Sequence, residues 1–336
     1  MKLGIIGLPL SGRSTIFEAL TRQGVDPALR SEDRLGMVRV PDARVDALSR
    51  MFSPRKTIYA QVEYLLPGAG GAKKDQSPWQ PVKECDALIH VVRNHGPERN
   101  PFRDFQALDQ ELILSDLVQV EKRLERIALD QRRGKKMNTE EHQLLSESRS
   151  LLEAETPLRR RPEIAICKAL RGFMLLSAKP VLVVFNNDES DATEPAAGDL
   201  TERERCLVLR GRLEQELARL SADEVGDFMA GFGITASAMD LMIRLSYEVL
   251  GLACFFTVGS DEVRAWTIHR GIPAVEAAGV IHTDFQKGFI RAEVIAYEDL
   301  MAAGSTAEAR RRGTFRLEGK TYEVKDGDII NFRFNV

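Results

Sequence analysis

The chain has 336 residues, 43% hydrophobic and 29% charged, too many for one small module and enough for two or three domains. Forty-seven Lys and Arg against 50 Asp and Glu give a net charge of −3, so the molecule as a whole is no polycation that coats nucleic acid by charge alone. Cys85, Cys167, Cys206 and Cys254 are scattered without a C-x-x-C pair, which argues against a zinc site or a disulfide framework and fits a reducing cytoplasm.

The first ten residues are apolar but broken by Gly4, Gly7 and Pro9, with no small-residue cleavage site, so a buried strand over residues 3–7 is expected rather than a secretory leader. A glycine-bearing loop over 7–12 and a helix over 14–20 follow, the strand-loop-helix order of a nucleotide fold. Further strands are expected at 37–40, 58–66, 86–92, 181–186 and 206–209, alternating with helices such as 43–51 and 211–220. That alternation points to an α/β sheet with helices on its faces. No apolar run approaches the roughly 20 residues that span a bilayer, so no membrane partner is expected.

Between the fourth and fifth of these strands the period changes. Ile113, Leu117, Val120, Leu124 and Ile127 follow a 4-3-4-3 spacing that lays one apolar seam along a helix, as in a coiled coil. Arg132-Arg133-Gly134-Lys135-Lys136 interrupts the seam, and Leu144, Leu145, Leu151 and Leu152 can then face it from a second helix. The segment reads as an antiparallel helical hairpin, the alternative being two helices lying directly on the core. Residues 195–204 read as a loop and 221–250 as helical; short strands at 254–258, 264–269, 289–297, 320–325 and 329–334 surround a helix near 299–312.

Gly7-Leu8-Pro9-Leu10-Ser11-Gly12-Arg13-Ser14 fits the phosphate-loop pattern G-x-x-x-x-G-K-[ST], except that Arg13 replaces Lys. In such a loop backbone N–H groups point at phosphate oxygens, the helix N-terminus adds positive potential, the cation reaches the terminal phosphates and the hydroxyl holds Mg²⁺. Arg13 keeps the charge but has a bulkier planar head, a change that binding tolerates better than hydrolysis does. After the buried strand at 181–186 stands Asn186-Asn187-Asp188-Glu189, an N-x-x-E where a guanine reader has N-K-x-D. It reads as a base-recognition loop, the plainer alternative being a hydrophilic turn.

With these residues in place, the chain resembles the YchF or Obg-like ATPase family over nearly its whole length. The most specific matches are Arg264-Ala265-Trp266-Thr267-Ile268, the run from Ala277 to Phe285, Lys287-Gly288-Phe289-Ile290-Arg291-Ala292 and the run from Asp326 to Val336, with Asp86 to Arg93 and Glu111 to Leu117 adding internal ones. The resemblance implies an α/β P-loop NTPase (Rossmann-like) sheet at 1–104 and 162–250. It also implies an inserted antiparallel coiled-coil hairpin at 105–161 and a C-terminal β-grasp (ubiquitin-like, TGS) domain at 251–336. The implied ligand is ATP, or also GTP, with Mg²⁺, and no zinc, haem or flavin. Phosphate contacts then fall to Gly7, Leu10, Ser11, Gly12, Arg13, Ser14 and Thr15, base contacts to Asn186 and Glu189, and the metal to Ser14.

The departures from the family pattern cluster in this same site. No Thr occurs between Thr21 and Val38, Arg30-Ser31-Glu32-Asp33-Arg34 replaces an Asn-Tyr-Pro-Phe-x-Thr-Ile stretch, and the Asp-x-x-Gly motif is read as Glu63-Tyr64-Leu65-Leu66. Gly68 to Gly71 retains part of the following switch, residues 73–81 do not match it, and Arg210-Gly211-Arg212 replaces Ser-Ala-Lys. Phosphoryl transfer rests on positioning and charge neutralisation, so each lost contact is expected to cost about two orders of magnitude in rate and much less in affinity. A divergent paralogue with weak or absent hydrolysis is therefore expected; the rival is a non-enzymatic scaffold with a vestigial site, acting through its hairpin and TGS domain.

The family is associated with ribosomes, which makes Arg132, Arg133, Lys135 and Lys136 at the hairpin tip candidates for RNA contact, with Arg159-Arg160-Arg161 and Arg310-Arg311-Arg312 as further basic clusters. Solvated turns and helix ends are the alternative for each. His90 in mid-strand is expected in the core or at a sheet edge, His282 beside Asp284 in a structural hydrogen bond and Trp266 in the β-grasp core. The oligomeric state is not legible.

Overall fold

The computed structural model describes residues 1–24, 31–68, 78–232 and 236–335. Its strands are β1 (Lys2–Ile6), β2 (Arg34–Arg39), β3 (Lys56–Ile58), β4 (Gln61–Leu66), β5 (Ala87–Asn94), β6 (Val181–Asn187), β7 (Arg205–Leu209), β8 (Leu252–Val258), β9 (Glu262–His269), β10 (Phe289–Ala296), β11 (Arg316–Glu318) and β12 (Asp328–Phe334). They form two six-stranded sheets, ordered β2-β4-β1-β5-β6-β7 and β11-β10-β12-β8-β9-β3. The chain accordingly divides into two compact units, Met1–Met37 with Glu63–Met242, and Val38–Val62 with Ile243–Val336.

In the first unit β4, β1, β5, β6 and β7 run parallel. Parallel strands covered on both faces read as unbroken apolar runs, and all seven residues of β6 are buried. Ile6, Leu88, Phe105, Leu112, Val183 and Phe185 belong to the core beneath. From β1 the chain builds first toward β4 and then, on the other side, toward β5. The carboxyl end of β1 is thus the switch point at which open α/β sheets take ligands, and the loop at Gly7 begins there.

The hairpin is formed by the helices Pro101–Arg132 and Thr139–Glu153, with a turn at 133–138. Ile113, Val120, Ile127, Leu145 and Leu152 are buried together, so the 4-3-4-3 seam of the first helix closes on the second and not on the sheet. Asp116, three residues after Ile113 on the same stripe, is fully buried and accepts from Leu176 N (2.8 Å), Ser177 N (2.7 Å) and Ser177 Oγ (2.7 Å), tying the hairpin to the approach to β6. Burial pushes this carboxyl above its ordinary range, and those three donors pull it back.

The second unit's sheet is mixed: β12 pairs β8 and β3 pairs β9 in parallel, while β10 pairs β11 and β12, and β8 pairs β9, in antiparallel fashion. One face packs on the helix Ala274–Ile281, whose Ala274, Ala277 and Ala278 are buried against Phe255, Ile268, Phe289 and Phe332.

Several elements differ from the sequence reading. The stretch 58–66 is two strands in two different sheets, parted where the Ala60 carbonyl turns to accept from Val40 N at 2.8 Å. Residues 320–325 form only an isolated bridge, Glu323 to Pro273, because Asp328 Oδ2 accepts from Lys325 N (2.9 Å) and the Tyr322 hydroxyl (2.8 Å), a local bonding pattern that competes with a ladder. The added strand is β11. Residues 195–204 contain a helical turn, Leu200–Arg203, because Ala197 and Leu200 are drawn into the core. The helix expected over 221–250 is two, Ala222–Gly231 and Ala238–Val249; residues 233–235 lie outside the described residues, as do Arg30, most of the switch remnant at 68–71 and 73–81, and Val336.

Candidate functional site

Gly7 opens the loop directly after β1, and Gly12 ends it as the cap of the helix Arg13–Thr21. Gly12 has φ 93°, and a Cβ there would sit 2.1 Å from Asn186 Nδ2, so no other residue fits the turn. Leu10 is also left-handed, φ 65°, and is 80% exposed. Ser11 donates its N–H to Leu8 O at 3.2 Å, while its buried Oγ has no hydrogen-bond partner.

The helix carries no side-chain cap and no acidic residue in its first turn, so its leading N–H groups and positive end are left for an anion. Arg13 lies beside them, half-buried, with no ion pair or hydrogen bond to any described residue. Burial alone pulls its guanidinium below the ordinary value. A desolvated cation without a carboxylate is complementary to a phosphate. Ser14 is exposed in the first turn, and Thr15 is half-buried behind it.

Asn186, at the carboxyl end of β6, is 6% exposed. Its Nδ2 donates to Ser11 O at 2.9 Å, and its Oδ1 accepts from Gly211 N at 3.0 Å. The amide therefore fastens the phosphate loop to the turn Arg210-Gly211-Arg212, leaving one of its two N–H bonds for a ligand. Asn187 is taken up by Asn94 (2.8 Å), Asp191 O (3.1 Å) and Thr193 O (2.8 Å), and Asp188 by Gly96 N (3.2 Å) and Arg99 (3.1 Å). Glu189 stays exposed, 3.6 Å from the Arg212 guanidinium. Phosphate loop, Asn186 and Glu189, far apart in sequence, thus meet at one end of one sheet.

Glu63 does not join them. Its register partner is Lys2, at the start of β1, whereas the strand end on the loop side carries Leu66 and then Pro67 and Gly68. The motif register read from sequence puts a carboxylate at the wrong end of β4; its loop-side end has none. The nearby carboxylate that sequence reasoning misses is Asp33, whose Oδ1 accepts from Gly68 N at 2.9 Å.

The basic clusters divide sharply. Arg132, Arg133 and Lys136 are exposed without ion pairs among the described residues, and Lys135 bridges Asp130 at 2.9 Å. Arg159 is neither solvated nor free for phosphate: it is buried, forked onto Asp109 at 2.9 Å through both terminal nitrogens, with Nε on Glu204 at 2.9 Å. Arg160 shares Glu204, and Arg161 pairs with Glu147 and Glu163. Arg310 forks onto Glu293, while Arg311 and Arg312 grip Glu308 and hold its carboxyl down at about 2.

His90 is 2% exposed in mid-strand, stacked on Phe105 at 4.9 Å, and burial lowers its imidazole to about 3. His282 Nδ1 accepts from Asp284 N at 3.2 Å as a helix cap, a structural bond as expected. Trp266 is half-buried, packed on Phe255 and hydrogen-bonded to Thr257 at 2.9 Å.

The YchF-GTPase_C family model, described as a protein of unknown function (DUF933), matches residues 252–335. The chain is 36% identical to the "Ribosome-binding ATPase YchF" of Bacillus subtilis, covering 99% of each chain, and 36% identical to that of Haemophilus ducreyi, covering 100% of this chain and 99% of the relative. Among solved structures, the Schizosaccharomyces pombe YchF GTPase superposes with a TM-score of 0.82 at 27% identity, over 99% of this chain and 97% of that one. A parallel sheet with a phosphate loop at its switch point, a helical hairpin and a full-length likeness above 30% identity agree: this chain belongs to the YchF family.

Proposed function

We propose that the protein binds ATP or GTP with Mg²⁺ in the Gly7–Gly12 loop, hydrolyses it slowly or not at all, and uses the bound state to regulate a ribosome- or translation-linked interaction in the cytoplasm. The observation that carries this is Arg13, a half-buried guanidinium without an anionic partner among the described residues, beside an uncapped helix N-terminus. Gly7, Leu10, Ser11, Gly12, Arg13, Ser14 and Thr15 surround the phosphates, and Asn186 and Glu189 lie on the base side. The Ser14 hydroxyl is exposed and makes no hydrogen bond to a described residue, so it fits a Mg²⁺ that otherwise takes triphosphate oxygens and water. The metal would neutralise charge on the phosphates. Leu66 at the loop-side end of β4 offers it no side-chain oxygen, which supports slow turnover.

The exposed cations at the hairpin tip fit the ribosome binding that the relatives' names state, and the second unit reads as a TGS domain that shares in it. Titration with fluorescent ATP and GTP analogues, alongside phosphate release, tests this reading. Binding that Arg13→Ala weakens at least about tenfold, with turnover far below that of the Bacillus subtilis relative, is expected. No binding would leave a scaffold with a vestigial site, and fast turnover would refute the kinetic half.

A further inference from the structure

Two arginines flank the base side of the proposed nucleotide site. Arg212 Nη1 lies 3.6 Å from Glu189 Oε1, and Arg210 Nη1 lies 3.5 Å from the Glu189 carbonyl oxygen. The turn that carries them is held against the phosphate loop by Asn186, closely enough that a Cβ on Gly211 would stand 2.5 Å from Asn186 Oδ1. The helix Gly211–Leu217 that follows is tied to the phosphate-loop helix through Gln215, which donates to the buried Glu18 at 2.6 Å. The position of Arg212 is therefore set by the site. Its side chain is 80% exposed and that of Glu189 44%, and a pair so exposed adds little to folding.

We propose that Arg212 is a base-selecting residue, and that the Glu189–Arg212 pair favours a purine with a carbonyl at C6 over adenine; this rests on the nucleotide-binding reading above. A guanine edge presents a carbonyl oxygen beside two N–H donors. The carboxylate accepts from the donors while the guanidinium donates to the carbonyl, the contact Arg makes most often with that base. An adenine edge presents one amine beside a ring nitrogen, so the same pair turns a carboxylate oxygen toward a nitrogen lone pair. Asp188 cannot take the place of Glu189, because Arg99 and Gly96 N already hold it.

The test is calorimetric titration of the full chain with ATP, GTP and ITP in Mg²⁺, for the natural protein, Arg212→Ala and Arg212→Lys. ITP keeps the C6 carbonyl and lacks the 2-amino group. Arg212→Ala should weaken GTP and ITP about tenfold, equivalent to about 1.4 kcal/mol, and ATP less than about threefold, with Arg212→Lys recovering part of the loss. Glu189→Ala should erase the advantage of GTP over ITP. Unchanged affinities, or an equal loss across the three nucleotides, overturn the role of Arg212 while leaving nucleotide binding intact. Failure of all three to bind the natural protein overturns both.

Discussion

Replacing Arg159 by leucine tests whether the arginine cluster after the hairpin is a buried ion-pair knot. The side chains of Arg159, Asp109 and Glu204 are only 6%, 12% and 8% exposed, and three charge-assisted bonds of 2.9 Å join them. A leucine side chain at that position would fill most of the volume but leave two carboxylates desolvated and unpaired, which costs about 3–5 kcal/mol when one partner of a buried pair is removed. Arg161, 45% exposed, should behave differently: Arg161→Ala should cost no more than about 1 kcal/mol although its ion pairs are as short. Urea unfolding followed by far-ultraviolet circular dichroism reads both, the first variant shifting its midpoint by more than about 1 M for a slope of about 1–3 kcal/mol/M. Adding Glu204→Gln to Arg159→Leu should recover part of the loss by removing one stranded charge. Equal, small shifts for Arg159→Leu and Arg161→Ala would show that water reaches the knot.

Gly12→Ala forces a side chain into the left-handed turn and onto Asn186, so nucleotide affinity should fall at least about tenfold and stability by about 1–3 kcal/mol; unchanged titration curves would contradict the loop geometry. His90 is held neutral, its folded-state value near 3 lying below the ordinary 6.5 of an unfolded imidazole, so the unfolded chain binds the extra proton in that window and stability is lost as pH falls from about 6.5 toward 3. When urea midpoints are compared at about pH 7 and pH 5, His90→Leu should flatten this slope, and an identical slope would show that other groups carry it. Reversing Arg132, Arg133, Lys135 and Lys136 to Glu should release the protein from sedimenting ribosomes and flatten the salt dependence of the remainder; cosedimentation indifferent to both would remove the tip from the interface.

What the residues alone make legible is local. The first strand and its loop, the unbroken apolar run of β6 and the hairpin seam each declare themselves within about a dozen residues, where periodicity and glycine placement decide the conformation. What sequence reasoning misses depends on partners distant in the chain. Arg159 reads as surface charge because Asp109 and Glu204 lie 50 and 45 residues away. Glu63 falls into the site by motif because no local signal reports strand register, and only the pairing with Lys2 shows which end of the sheet it occupies. Asn186 reads as a base contact, whereas its bonds to Ser11 and Gly211 are closed only when three remote segments fold together. Asp116 does leave a trace, a lone carboxylate on an apolar stripe.

The second unit is assembled from two pieces of chain, and its edge strand β3 pairs in register with β9, Lys56 opposite Glu262. During synthesis β3 emerges roughly 200 residues before its partner, a wait of about 10 to 40 s at roughly 5–20 residues per second. The whole hairpin-bearing unit is made in that interval, so the nascent protein carries an unpaired strand while its first sheet is already able to close. The order of manufacture thus sets a vulnerable period between the two units, and a chaperone or the ribosome surface itself would have to shield residues 56–58 during it.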